Sequence, residues 1–227
     1  MKTRSVLAIA AQVVVVAATA WAIAGFFTAG GEGNMKVVGW LAFRYFTVDS
    51  NVLAAIACVV CIPFEIRALR APAGKSAGRD ARTGADCGAG GLVLPHGVLI
   101  LNFVGTVAVS VTFVVVVAFL GPVYGYASMF TGKNFFLHGV NPILCIVAFM
   151  ALIEGPVRLR ETLWCLLPVA IYGIVYCIEV VGIGIEAGGW PDLYGFNIGG
   201  IWYVWFMAIG LMAFILALIE RLPHRRA

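Results

Sequence analysis

Charge is scarce in this sequence. Asp, Glu, Lys and Arg make up 11% of its 227 residues, against about 25% in an ordinary soluble domain. Hydrophobic residues make up 62%, and the mean hydropathy is +1.00. Such a chain cannot cover itself with polar surface, which excludes a soluble catalytic domain and implies an integral membrane protein. Also missing are a zinc-ligand cluster and a phosphate-binding glycine loop, so neither a metal nor an organic cofactor is expected. The six cysteines are not a disulfide framework. Cys58, Cys61, Cys145, Cys165 and Cys177 lie in apolar runs, where Cys serves as a small buried residue. Cys87 lies in a polar loop and reads as a free thiol. The net charge of +4 is scattered over loop ends, as the positive-inside rule expects, which argues against a nucleic-acid partner.

What is present is a series of long apolar runs. Six are long enough to cross about 30 Å of hydrocarbon. They lie near 5–28, 44–66, 97–120, 135–154, 161–183 and 198–219. The expected fold is therefore all-α, a polytopic membrane protein with one bundle of six transmembrane helices over 1–227. The first run exceeds the usual signal-peptide core of about 7–15 residues and reads as an uncleaved helix. The polar stretch 67–96, rich in Gly and Arg, reads as a flexible loop. Twelve of the fifteen Lys and Arg residues fall at the termini and in the loops after runs two and four. By the positive-inside rule both termini are cytoplasmic, and the location is the cell membrane.

Run two begins unlike the others, with Arg44-Tyr45-Phe46-Thr47-Val48-Asp49-Ser50-Asn51. Polar groups at membrane depth are costly and face a bundle interior or a cavity. At 100° per residue Arg44, Thr47, Ser50, Asn51, Ala54 and Cys58 fall within about 60° of one another, and Asp49 points away. On run four Asn134, His138, Asn141, Pro142 and Cys145 share a face. Pro142 removes a backbone donor near His138, which predicts a local distortion. On run five Pro168, Tyr172, Tyr176 and Glu179 share a face. Of the three histidines, His138 alone lies at the depth of Thr47. A threonine hydroxyl needs a neighbour to take its proton, and neutral His is the usual base. Thr47 and His138 are thus the candidate catalytic pair. Asn51, Tyr176 or Glu179 would orient the imidazole or donate to an oxyanion, and Arg44 would hold a substrate carboxylate. The bland alternative is that these groups pack and bond between helices. Another is a small-solute or ion transporter or a lipid-binding sensor, with Arg44, Asp49 and Glu179 as pathway or structural charges.

The pattern Phe43-Arg44-Tyr45-Phe46-Thr47-x-x-Ser50-Asn51, followed by Leu137-His138-x-x-x-Pro142, resembles a signature of bacterial six-helix membrane proteins. These are related to the animal androgen-induced and androgen-dependent membrane proteins. Pro168, Tyr172 and Tyr176 before a Trp-Pro loop form a weaker match. The animal members are intramembrane threonine hydrolases that cleave fatty-acid esters of hydroxy fatty acids. The resemblance implies Thr47 as nucleophile, His138 as base, membrane lipids or a lipid-like substrate as partner, and no cofactor. Asp49 departs from the pattern, standing where an apolar residue is usual.

Overall fold

The computed structural model describes residues 2–32, 35–70 and 94–224. All regular structure among the described residues is helical. Six helices are long and apolar enough to cross a membrane: α1 (Thr3–Thr28), α2 (Phe46–Arg70), α3 (His96–Tyr124), α4 (Lys133–Leu152), α5 (Leu159–Ile183) and α6 (Trp202–Glu220). Within the expected loop 67–96, α2 remains helical to Arg70 and α3 begins at His96. Residues 71–93, with Cys87, lie outside the described residues.

The start of α2 also differs. Gly39–Arg44 forms a separate short helical turn, and Tyr45 is extended at φ −105°, ψ 123°. Arg44 is therefore not on the helix that carries Thr47, and the expected Arg44-to-Cys58 stripe begins at Thr47. From there it holds, since Thr47, Ser50, Asn51, Ala54 and Cys58 are all buried.

The middle of the bundle is α3, which packs on α2, α4, α5 and α6, while α1 closes against α2 and α4. Its residues from Asn102 to Thr112 are buried almost all round, as expected of a helix surrounded by others. Thr106 donates to the Asn102 carbonyl four residues back, at 2.9 Å, which satisfies its hydroxyl without a partner helix. Gly105 lets α3 approach α2 closely, for a Cβ there would stand 3.1 Å from Ala54 Cα. Small residues at such a crossing let membrane helices pack by dispersion. Gly105→Leu should push the pair apart and cost about 2–3 kcal/mol, seen as a lower unfolding midpoint in detergent. An unchanged midpoint would mean that the crossing is not tightly packed.

The two ends of the bundle are distinct. At one end Arg4 pairs with Glu154 at 2.7 Å and His96 with Glu161 at 2.9 Å, while Arg221 Nε donates to the Val157 carbonyl at 2.7 Å. Both chain termini therefore lie at this end. At the opposite end Lys133 Nζ donates to the Gly30 carbonyl at 2.9 Å, and the loop between α5 and α6 folds back over the bundle.

Candidate functional site

The candidate residues cluster at the end opposite the termini. The first turn of α2 has backbone N–H groups without helical partners. One of them, Phe46 N–H, donates to the Tyr194 hydroxyl at 2.9 Å. Tyr194 is buried, and desolvation pushes its phenol above the ordinary value, so it stays protonated. Next in the chain, the Thr47 carbonyl accepts from Asn51 Nδ2 at 2.8 Å and from Ser50 Oγ at 3.1 Å. Ser50 Oγ also reaches Thr112 Oγ1 of α3 at 2.8 Å.

Asn51 connects this turn to α4, for a reason that lies in α4 itself. Over Phe136–Val140 the helix is widened, and Asn141 N–H bonds the Phe136 carbonyl, five residues back. The Leu137 carbonyl then needs the N–H of residue 142, which is a proline and has none. Asn51 Nδ2 fills the vacancy at 3.0 Å. In turn Asn141 Nδ2 donates to Asn51 Oδ1 at 2.9 Å and to Thr19 Oγ1 at 3.1 Å, which ties in α1. The expected distortion before Pro142 is thus a widened turn, a form often found at functional sites.

His138 sits in that turn and is 1% exposed. Its Nδ1 lies 2.6 Å from the Met129 carbonyl. A carbonyl only accepts, so Nδ1 carries the proton of the neutral ring and Nε2 carries the lone pair. Nε2 has no hydrogen-bond partner among the described residues. The ring is oriented by a backbone carbonyl, and by none of Asn51, Tyr176 and Glu179. The Phe130 ring stands edge-on to it, with centroids 6.4 Å apart.

Thr47 is 5% exposed, and its hydroxyl has no partner among the described residues. It lines an apolar cavity with Thr112, Val116, Val169, Tyr176 and Phe206, holding about 60 Å³ of room for water-sized centres. His138 does not line this cavity, and no hydrogen bond joins the two side chains. Asn51 is what brings their turns together, because it holds the Thr47 and Leu137 carbonyls with one amide.

The remaining candidates have other partners. Tyr176 donates its hydroxyl to Asp192 Oδ1. Asp192 also accepts from Phe196 N–H at 3.0 Å and Asn197 N–H at 2.9 Å. Tyr176 is therefore the post on which the α5–α6 loop is fastened. The Arg44 guanidinium lies 6.0 Å from the Trp190 ring centroid, and its own carbonyl accepts from the Tyr172 hydroxyl at 2.7 Å. Glu179 is half-buried, and its carboxylate has no partner among the described residues.

Sequence reasoning missed Asp192 and Tyr194 as structural anchors, although Asp-x-x-Gly is a turn signal. It also passed over Glu65, inside run two. Glu65 is fully buried and accepts from Gln12 Nε2 at 2.8 Å. Near the termini Glu220 accepts from Ser110 Oγ at 2.5 Å. No group of three His, Cys, Asp or Glu side chains that could hold a metal ion occurs among the described residues. Compared with protein-family models, curated proteins and solved structures, the chain gives no match.

Proposed function

We propose that this protein is an intramembrane hydrolase that acts on lipid esters through Thr47 and His138. The observation that carries the reading is the proton position on His138. With Nδ1–H donating to Met129 and Nε2 unpartnered among the described residues, the buried imidazole is a base whose tautomer is already set. Two further features support it. Thr47 has a hydroxyl unpartnered among the described residues, at the wall of an apolar cavity suited to an acyl chain. The motifs around both residues also resemble the bacterial relatives of the androgen-induced and androgen-dependent threonine hydrolases.

In this mechanism substrate binding brings Nε2 within hydrogen-bond reach of Thr47 Oγ1, a contact that free enzymes often lack. His138 takes the Thr47 proton as Oγ1 attacks the ester carbonyl. The tetrahedral intermediate expels the alcohol, which leaves with the proton from His138. Water, deprotonated by the same imidazole, then hydrolyses the acyl-threonine. The Lys and Arg count supports cytoplasmic termini and a cell-membrane location, with the site toward the outer face.

Fluorophosphonate labelling of purified protein tests the reading. Wild type should be labelled, and Thr47→Ala and His138→Ala should not. A folded wild type that stays unlabelled, or labelling that survives Thr47→Ala, would sink it. A second reading, as a small-solute or ion transporter, draws on Glu65 and Glu220. Each is buried with one carboxylate oxygen unpartnered among the described residues, and intramembrane carboxylates often mark ion pathways. Gradient-driven uptake into vesicles would favour it.

A further inference from the structure

Asp49 has a different setting from Thr47. It lines an open groove of about 680 Å³ between α2 and α5, floored by α3, with Phe46, Leu53, Ile171, Tyr172 and Trp190 among the walls. The groove is open at its side, since Ile171 is 61% exposed. Phe46 and Tyr172, with ring centroids 5.3 Å apart, line both this groove and the Thr47 cavity.

Among the described residues Asp49 is the sole charged one lining the groove. Its carboxylate has neither a hydrogen bond nor an ion pair among the described residues. Six other carboxylates are held: Glu32 by Lys133, Glu65 by Gln12, Glu154 by Arg4, Glu161 by His96, Asp192 by Tyr176 and Glu220 by Ser110. The nearest cation in sequence, Arg44, lies against Trp190 instead. The adjacent Ser50 hydroxyl is engaged with Thr47 and Thr112. An ionisable group at membrane depth is expensive unless paired, and a groove this apolar takes a hydrocarbon chain. The missing counterpart is a cation attached to that chain. Aromatic faces at Phe46, Tyr172 and Trp190 suit an ammonium as well.

We infer that this lateral groove binds a long-chain amine, with the ammonium on Asp49 and the alkyl chain along α5 toward Ile171. The inference is independent of the hydrolase reading, because it uses neither Thr47 nor His138.

The test is native mass spectrometry of the full chain in detergent, titrated with dodecylamine or dodecan-1-ol. Wild type should retain one dodecylamine, about ten-fold more tightly than the alcohol. Asp49→Asn should lose that preference while still binding the alcohol, and Ile171→Trp, which fills the groove, should weaken both. If Asp49→Asn does not fold, Asp49→Glu should keep the amine preference and Ile171→Trp should still weaken retention. Equal retention of amine and alcohol by wild type would overturn the inference. So would an amine preference unchanged in Asp49→Asn, or loss of stability alone in that variant. The last result would mean that Asp49 serves only the positive end of the α2 dipole.

Discussion

Thr47→Ala should lower turnover of a long-chain fatty-acid ester by about 10³-fold or more, because no other hydroxyl at the cavity wall has the same setting. The other hydroxyls lining the cavity are engaged: Thr112 with Ser50, Tyr172 with the Arg44 carbonyl, Tyr176 with Asp192 and Tyr194 with Phe46 N–H. His138→Ala should cost about as much. The double variant should be little worse than either single one, since a nucleophile and its base act as a unit. Thr47→Ser should retain measurable turnover, because the hydroxyl and its depth are kept. KM should change less than kcat in all of these, if the proposed acyl chain is held by the apolar lining of the cavity. Turnover by Thr47→Ala within ten-fold of wild type would rule out the mechanism.

Asn51→Leu should be the most destabilising single change at the site, by about 2–3 kcal/mol. The size follows from what each partner has left. The Thr47 carbonyl keeps Ser50 Oγ, and Asn141 Nδ2 keeps Thr19. The Leu137 carbonyl keeps nothing, because Asn141 N–H is taken by Phe136 and Pro142 has no N–H. A typical interhelical bond in a membrane contributes about 0.6 kcal/mol, since the separated helices find other partners. An orphaned carbonyl costs more, and here that penalty dominates. In a Pro142→Ala background the restored N–H can serve Leu137, so the same substitution should cost about 1 kcal/mol less. Unfolding midpoints in detergent for the four proteins would measure this coupling. Strict additivity would show that Asn51 is not there to replace the bond that proline removes.

Much of this architecture was legible from local pattern. Run length and composition predict six helices. The spacing of Thr47, Ser50, Asn51, Ala54 and Cys58 predicts a buried stripe, and Pro142 predicts a fault in α4. These are properties of a chain in hydrocarbon, where backbone groups must be satisfied within the segment and polar side chains must turn inward. A helical wheel registers both requirements.

Other features were invisible because their causes lie far away in sequence. α2 begins at Phe46, where Tyr194 supplies an acceptor 148 residues on. The tautomer of His138 is set by the Met129 carbonyl, and backbone carbonyls leave no trace in residue types. Tyr176 was read as a catalytic helper, yet it faces Asp192 in the loop that covers the cavity. Asp49 was legible as an exception, pointing away from the stripe, while the groove it faces exists only because α2 and α5 stand apart over α3. The sequence by itself determined the number of helices and the face each one buries, since solvation in a bilayer acts residue by residue. The tertiary structure alone decided which polar group meets which, because a hydrogen bond depends on a third dimension that no periodicity along one helix contains.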